Sequence, residues 1–206
     1  MSNNIYYYIL SEEQRDILPA TQDISKDFLL VGGTAIALYI GHRKSIDFDF
    51  FTTAELDIDF LKNKLRASVG FDKILIDKLN ELTFISQNVK LTYLYYPFLI
   101  KESRELNYNI YTTDLITLLA MKIYALGRRS KWKDYVDIYF GLKYFTLNEI
   151  ILKAKNIFGN ELNEKIIRLQ LAYFKDIDYT EEIIYMPECE VSNKDIQDYL
   201  TKISLS

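Results

Sequence analysis

A chain of 206 residues that is 49% apolar and 26% charged is long enough to bury roughly 70% of its unfolded surface, which excludes disorder and any need for a covalent staple. One cysteine, Cys189, and one histidine, His42, exclude an intramolecular disulfide and a Cys/His zinc cluster. With 25 basic and 29 acidic residues the net charge is -4, which excludes a protein that coats nucleic acid through overall charge; any polyanion site must be local.

In chain order, the first residues lack a basic region and a small-residue cleavage site, so no secretory signal is expected. Ser11 to Gln14 fits a capping box and opens a short helix that Pro19 helps to end. Asp27 to Val31 reads as a strand, Gly32-Gly33 as a tight turn, and Thr34 to Ile40 as a helix. The apolar run from Phe28 to Gly41 has 14 residues, short of the roughly 17 to 25 of a membrane span, so the expected location is the cytoplasm, off the membrane. Ser45 to Phe51 alternates with period two and puts Asp47 and Asp49 on one face. Phe60 to Val69 has helical spacing, and Asp57 and Asp59 before it read as helix-capping acids. Extended runs follow at Lys73 to Ile76, Leu82 to Ile85 and Val89 to Tyr95. From Asp114 the pattern is helical: Asp114 to Leu126, Trp132 to Tyr144, an element capped by Thr146 and Glu149, Glu161 to Phe174, and a last helix opened by Ser192 and Asp195. The expectation is therefore an α/β (α+β) protein, with a mixed-sheet domain over 1–111 and a helical domain over 112–206.

Two groups of residues carry chemistry. Gly32 and Gly33 let backbone approach a ligand closely, and the N–H groups of the helix that follows attract phosphate, with the Thr34 hydroxyl as a further donor. Asp47 and Asp49 repel each other by about 1 to 4 kcal/mol at 4 Å, a cost that Mg²⁺ or Mn²⁺ would remove while bridging triphosphate oxygens. The combination points to nucleotidyl transfer from an NTP. In the second group, Lys122, Ala125 and Arg129 share a helical face if the helix continues past Gly127. The stretch from Lys122 to Lys133 has five basic residues and no acid. That stripe suits phosphate, or else forms a solvated helix junction in which Asp134 and Asp137 pair with Lys131 and Lys133.

The segment VGGTAIALYIGHRKSIDFDFF resembles the signature of the nucleotidyltransferase fold in the form typical of the AbiEii/AbiGii toxin family. DLITLLAMKIYALGRRSKWKDYVDIY resembles that family's later motif, with Lys122, Ala125, Arg128 or Arg129, Lys133, Asp134 and Asp137 in its positions. The resemblance implies a nucleotidyltransferase-like mixed-sheet domain with a helical domain, and the toxin of a toxin-antitoxin or phage-defence pair. It implies Asp47 and Asp49 as catalytic, metal-holding acids, and Gly32, Gly33, Thr34, Lys122 and Arg129 as the nucleotide site. The tRNA 3' end is the acceptor it favours; a small molecule such as an antibiotic is the alternative. A cognate antitoxin is the partner it implies. The family's third carboxylate falls where this chain has Thr92, leaving Asp77 or Glu81 as candidate replacements and a binding module without turnover as the rival reading. Arg43, Lys44, Arg128, Lys133, Asp134 and Asp137 are further candidates for acceptor or phosphate contacts, although a surface basic turn explains Arg43 and Lys44 equally well. Trp132 is read as a packing residue, and the acidic segment from Asp178 to Glu190 as a solvated connection rather than a cover on the basic stripe.

Overall fold

The computed structural model describes residues 4–126, 128–129 and 131–205, which group into two compact units. One unit takes in residues 7–35 and 45–114; the other takes in 4–6, 36–44 and the helical stretch from Leu115 on.

In the first unit, Ser11 and Gln14 make both halves of the capping box that opens α1 (Glu12–Ala20), and α2 (Gln22–Ser25) follows. Strand β1 (Leu29–Val31) passes straight into α3 (Gly32–Ile40), so no separate turn intervenes: Gly32, at φ +73°, makes the change of direction as the first residue of the helix. Next come β2 (Asp47–Thr52), α4 (Ile58–Ser68), β3 (Lys73–Lys78), β4 (Glu81–Ser86), β5 (Val89–Tyr95), β6 (Arg104–Glu105) and β7 (Tyr111–Thr112). Asp57 caps α4 by accepting from the Phe60 N–H at 3.0 Å, the structural role its spacing predicts.

The strands form one mixed sheet in the order β3-β4-β5-β2-β1-β7-β6. β2 lies at its centre, antiparallel to β1 and parallel to β5. Its alternation is realised: Phe48 and Phe50 are fully buried, while Asp47 and Asp49 face the other way. Phe50 stacks on Tyr93 of β5 at 5.0 Å between ring centroids, with Phe84 of β4 beyond it. Burying each such ring is worth roughly 1.5–3 kcal/mol, so this apolar face fixes the register of β2 and with it the positions of the two acids.

The second unit is built on α5 (Leu115–Leu126), which packs against α6 (Trp132–Gly141), α7 (Leu147–Phe158) and α8 (Glu164–Leu171); α9 (Asn193–Ser204) packs on α6 and α8. α5 and α6 approach closely enough that a Cβ on Gly141 would lie 2.3 Å from Leu119 Cδ2. Trp132 is buried and donates to Asn193, a packing residue as expected. No helix among the described residues is long and apolar enough to cross a membrane.

Candidate active site

Val31 pairs with Asp49 across β1 and β2, which brings the Asp49 carboxylate to the start of α3. The space that a Cβ on Gly32 would fill is taken by Asp49 Oδ2, 2.3 Å from that position, so only glycine lets this carboxylate reach the helix N-terminus. Gly33 is partly exposed beside it. Thr34 is used differently from the sequence expectation. Its side chain is buried, and its hydroxyl meets the Asp47 carbonyl and lies 2.9 Å from Ser45 Oγ, tying α3 to the entrance of β2 instead of facing a phosphate.

Two residues of β5 complete this face. Lys90 stands opposite Asp47 in register and donates to its Oδ2 at 2.7 Å; Thr92 stands opposite Asp49. Lys90 was not singled out by its sequence neighbourhood, yet the alternation of Val89 to Tyr95 places it beside Thr92 on one face, a signal that pairing with β2 turns into a contact. The proposed replacements for the third acid lie elsewhere. Asp77 pairs in register with Leu82, on the opposite face, and is held by Lys62 at 2.9 Å. Glu81 shares the correct face but sits two strands from β2 and two residues along, about 12 Å from Asp49 by strand geometry.

Magnesium is commonly held by one or two carboxylates with phosphate oxygens and waters completing the octahedron, and Asp47 with Asp49 supplies that number. Among the described residues no group of three or more His, Cys, Asp or Glu is placed to hold a metal ion.

The later motif forms a buried ion network within the helical unit. Lys122, near the end of α5, is 4% exposed and places Nζ 2.8 Å from Asp134 and 3.1 Å from Asp137, both on α6 and both fully buried. α5 ends at Leu126, so Arg129 does not share its helical face; it comes from the connection to α6 and grips Asp134 through Nε at 2.8 Å and Nη2 at 3.0 Å. Arg43 does not lie in a surface turn: it is buried and bidentate on Asp137, at 2.7 and 3.0 Å. His42 Nε2 lies 2.9 Å from Asp137 Oδ1.

Burial alone would raise both aspartates. For Asp134 the charges of Lys122 and Arg129 outweigh it and lower the pKa; for Asp137 Arg43 and Lys122 hold it well below the carboxylate range. Burial also disfavours the Lys122 ammonium, but the two aspartates raise it on balance. The ionised Asp137 only accepts, so His42 donates from Nε2, while its buried Nδ1 has no hydrogen-bond partner among the described residues. Burial accordingly lowers the His42 pKa, with Asp137 only partly opposing it. A lysine so enclosed reaches a phosphate only by giving up its carboxylates, whereas Arg129, 50% exposed, keeps part of its surface toward solvent.

The basic residues at the start of α6, Lys131 and Lys133, reach the acidic segment. Both meet Glu181, and Lys131 also lies 3.6 Å from Asp178. The acidic segment is thus laid on the basic stripe, not solvated apart from it. Backbone bonds fix it there: Trp132 N–H to Asp178 O, Met186 N–H to His42 O and Lys44 N–H to Ile184 O. Arg128 covers the Tyr124 ring at 3.5 Å and approaches Glu161, and the Lys44 side chain is exposed.

A mixed sheet with a strand-Gly-Gly-helix unit beside two acids on its central strand defines a nucleotidyltransferase fold. Solved structures share it: JHP933 from Helicobacter pylori aligns over 95% of this chain and 92% of its own (TM-score 0.55, 16% identity), and a second H. pylori structure, assigned as a nucleotidyltransferase, over 94% and 91% (TM-score 0.53, 16% identity). Residues 16–93 match the family described as "Nucleotidyl transferase AbiEii toxin, Type IV TA system". Over 178 residues the chain is 31% identical to the uncharacterized protein aq_aa25 of Aquifex aeolicus (strain VF5), covering 81% of this chain and 84% of that one. The chain belongs to the AbiEii nucleotidyl transferase toxin family.

Proposed function

We propose that the protein is a divalent-metal-dependent nucleotidyltransferase that moves a nucleoside monophosphate from an NTP to an RNA hydroxyl, with the tRNA 3' end as the first acceptor to test. It would act in the cytoplasm as the toxin of a toxin-antitoxin pair, with a cognate antitoxin as partner. The observation that carries this reading is the Asp49 carboxylate set against Gly32 at the start of α3, with Asp47 two residues away on the same face of β2. The family supports the reaction class, and the acceptor rests on family resemblance alone.

Asp47 and Asp49 would hold one Mg²⁺ or Mn²⁺, which when bound supplies charge neutralisation at the transferring phosphoryl group. The half-buried backbone of Gly32 and Gly33, at the opening of α3, binds the triphosphate. The acceptor oxygen bonds the α-phosphorus as the bond to the bridging oxygen breaks; pyrophosphate leaves, and the hydroxyl proton passes to solvent because Thr92 is no base at neutral pH. Of the later motif, Arg129 keeps exposed side-chain surface that a phosphate can meet. Lys122 positions Asp134 and Asp137, and Arg43 and His42 hold Asp137 in turn.

The Lys90–Asp47 pair and Thr92 favour one rival, a nucleotide- or RNA-binding module without turnover. Incubating each labelled NTP with total cellular RNA and with small acceptors separates the readings. Transfer to RNA with pyrophosphate release supports the first, transfer to a small molecule changes the acceptor class, and NTP binding without product with any acceptor assigns the module.

A further inference from the structure

Past Asp49 the same sheet face runs into a cleft of about 490 Å³ whose walls belong wholly to the sheet unit. Asp49 and Phe51 alternate onto one face of β2, and their partners on β1 are Val31 and Leu29. Val31, Leu29 and Phe51 all line the cleft, so it opens one pair along from Asp49, about 7 Å by strand rise. Its aromatic side is continuous: Phe51 and Tyr96 lie 5.0 Å apart between centroids at 35°, and Tyr96 and Phe98 5.3 Å apart at 63°. The rim carries Asp27 and Glu102, which can accept from exocyclic amines, and Lys26 and Lys101, which can meet phosphate; all four are exposed.

Aromatic walls with a mixed-charge rim, in a volume at the small end of ligand pockets, fit a flat heterocycle bearing polar edges. The position decides which one. Gly32 and the start of α3 lie on one flank of Asp49, and the cleft lies on the other. In-line displacement puts the attacking hydroxyl opposite the departing pyrophosphate, so with the triphosphate at Gly32 the cleft side belongs to the acceptor.

We propose that this cleft holds the terminal nucleobase of a single-stranded RNA acceptor, stacked on the Tyr96 and Phe98 rings so that its terminal hydroxyl reaches Asp49. The assignment rests on the transfer reading above and adds the acceptor's binding site to it.

The test uses the full chain, a fluorescent single-stranded oligoribonucleotide, the same strand lacking its terminal base, and an NTP analogue that cannot be cleaved at the α-phosphorus. Phe98→Ala, and Phe98→Leu as a volume-keeping control on folding, should each weaken the intact strand by at least about five-fold, the low end for one lost stack. They should leave analogue affinity within about two-fold. The strand lacking its terminal base should bind the native chain as weakly as the intact strand binds the variants. Equal affinity for both strands, unchanged binding in the variants, or loss of the analogue instead of the strand overturns the proposal while leaving nucleotidyl transfer standing. Failure of the native chain to bind either probe overturns the transfer reading itself.

Discussion

Gly32 and Asp49 occupy one space: the carboxylate oxygen of Asp49 sits 2.3 Å from where a Cβ on Gly32 would be, and Gly32 holds φ at +73°. Gly32→Ala therefore meets two obstacles, a left-handed backbone and a displaced acid. We expect it to lower stability by roughly 1–3 kcal/mol in urea unfolding, and to lower NTP affinity in calorimetry by pushing Asp49 off α3. A variant as stable and as tightly binding as the native chain would remove the glycine from the site.

Lys90 and Thr92 bear on how many metal ions the acids hold. Lys90→Gln takes away the ammonium 2.7 Å from Asp47, and we expect Mn²⁺ affinity, read by electron paramagnetic resonance, to rise about five-fold or more, since even in high dielectric such a charge is worth about 1 kcal/mol. Thr92→Asp adds an acid directly opposite Asp49 and should raise both the Mn²⁺ stoichiometry and turnover. No gain in either would mean that the third acid is not what limits the site.

Asp137 is the buried hub of the helical unit, and removing it takes the carboxylate from buried Arg43 and one of two carboxylates from buried Lys122. Asp137→Ala should cost about 3–5 kcal/mol in chemical denaturation, the usual penalty for orphaning buried charge.

The same network sets the pH dependence of stability. Burial depresses the His42 pKa, so the unfolded chain binds a proton near pH 6.5 that the native chain refuses. Stability is full above that pH and falls as pH drops below it, by at most about 1.4 kcal/mol per pH unit. His42 is the sole histidine, so urea unfolding of His42→Gln at pH 7.5, 6 and 5 should show this slope flattened. Asp137 and Asp134, both depressed, keep their contribution until pH falls below the ordinary carboxylate range, giving a second and lower loss. A single step common to both chains would contradict the assignment.

Glu181 draws Lys131 and Lys133 to itself and is held low, at about 2, by them against its partial burial. At 40% exposure the pairs are screened, so Glu181→Gln should change stability by less than about 1 kcal/mol. Released lysines should tighten RNA binding at low salt and steepen its salt dependence. An unaltered slope would assign the two lysines to holding the acidic segment.

Local pattern was enough for what depends on neighbours in the chain. Period two in Ser45 to Phe51 put the two acids on one face, the Ser11 and Thr146 boxes opened their helices, and the Gly-Gly and Asp-x-Asp signature carried the fold and family. Partners far apart in sequence were decided only by tertiary structure. Nothing local links Arg43 to Asp137, 94 positions on, or Asp47 to Lys90, 43 positions on. The basic stripe read as phosphate-facing because its charges are adjacent, yet burial of a lysine is tolerable only with carboxylates beside it, and the fold brings those carboxylates to Lys122. The residue types at the site are thus a property of the sequence, while which charges face a ligand and which hold one another is set by the packing that removes some of them from water.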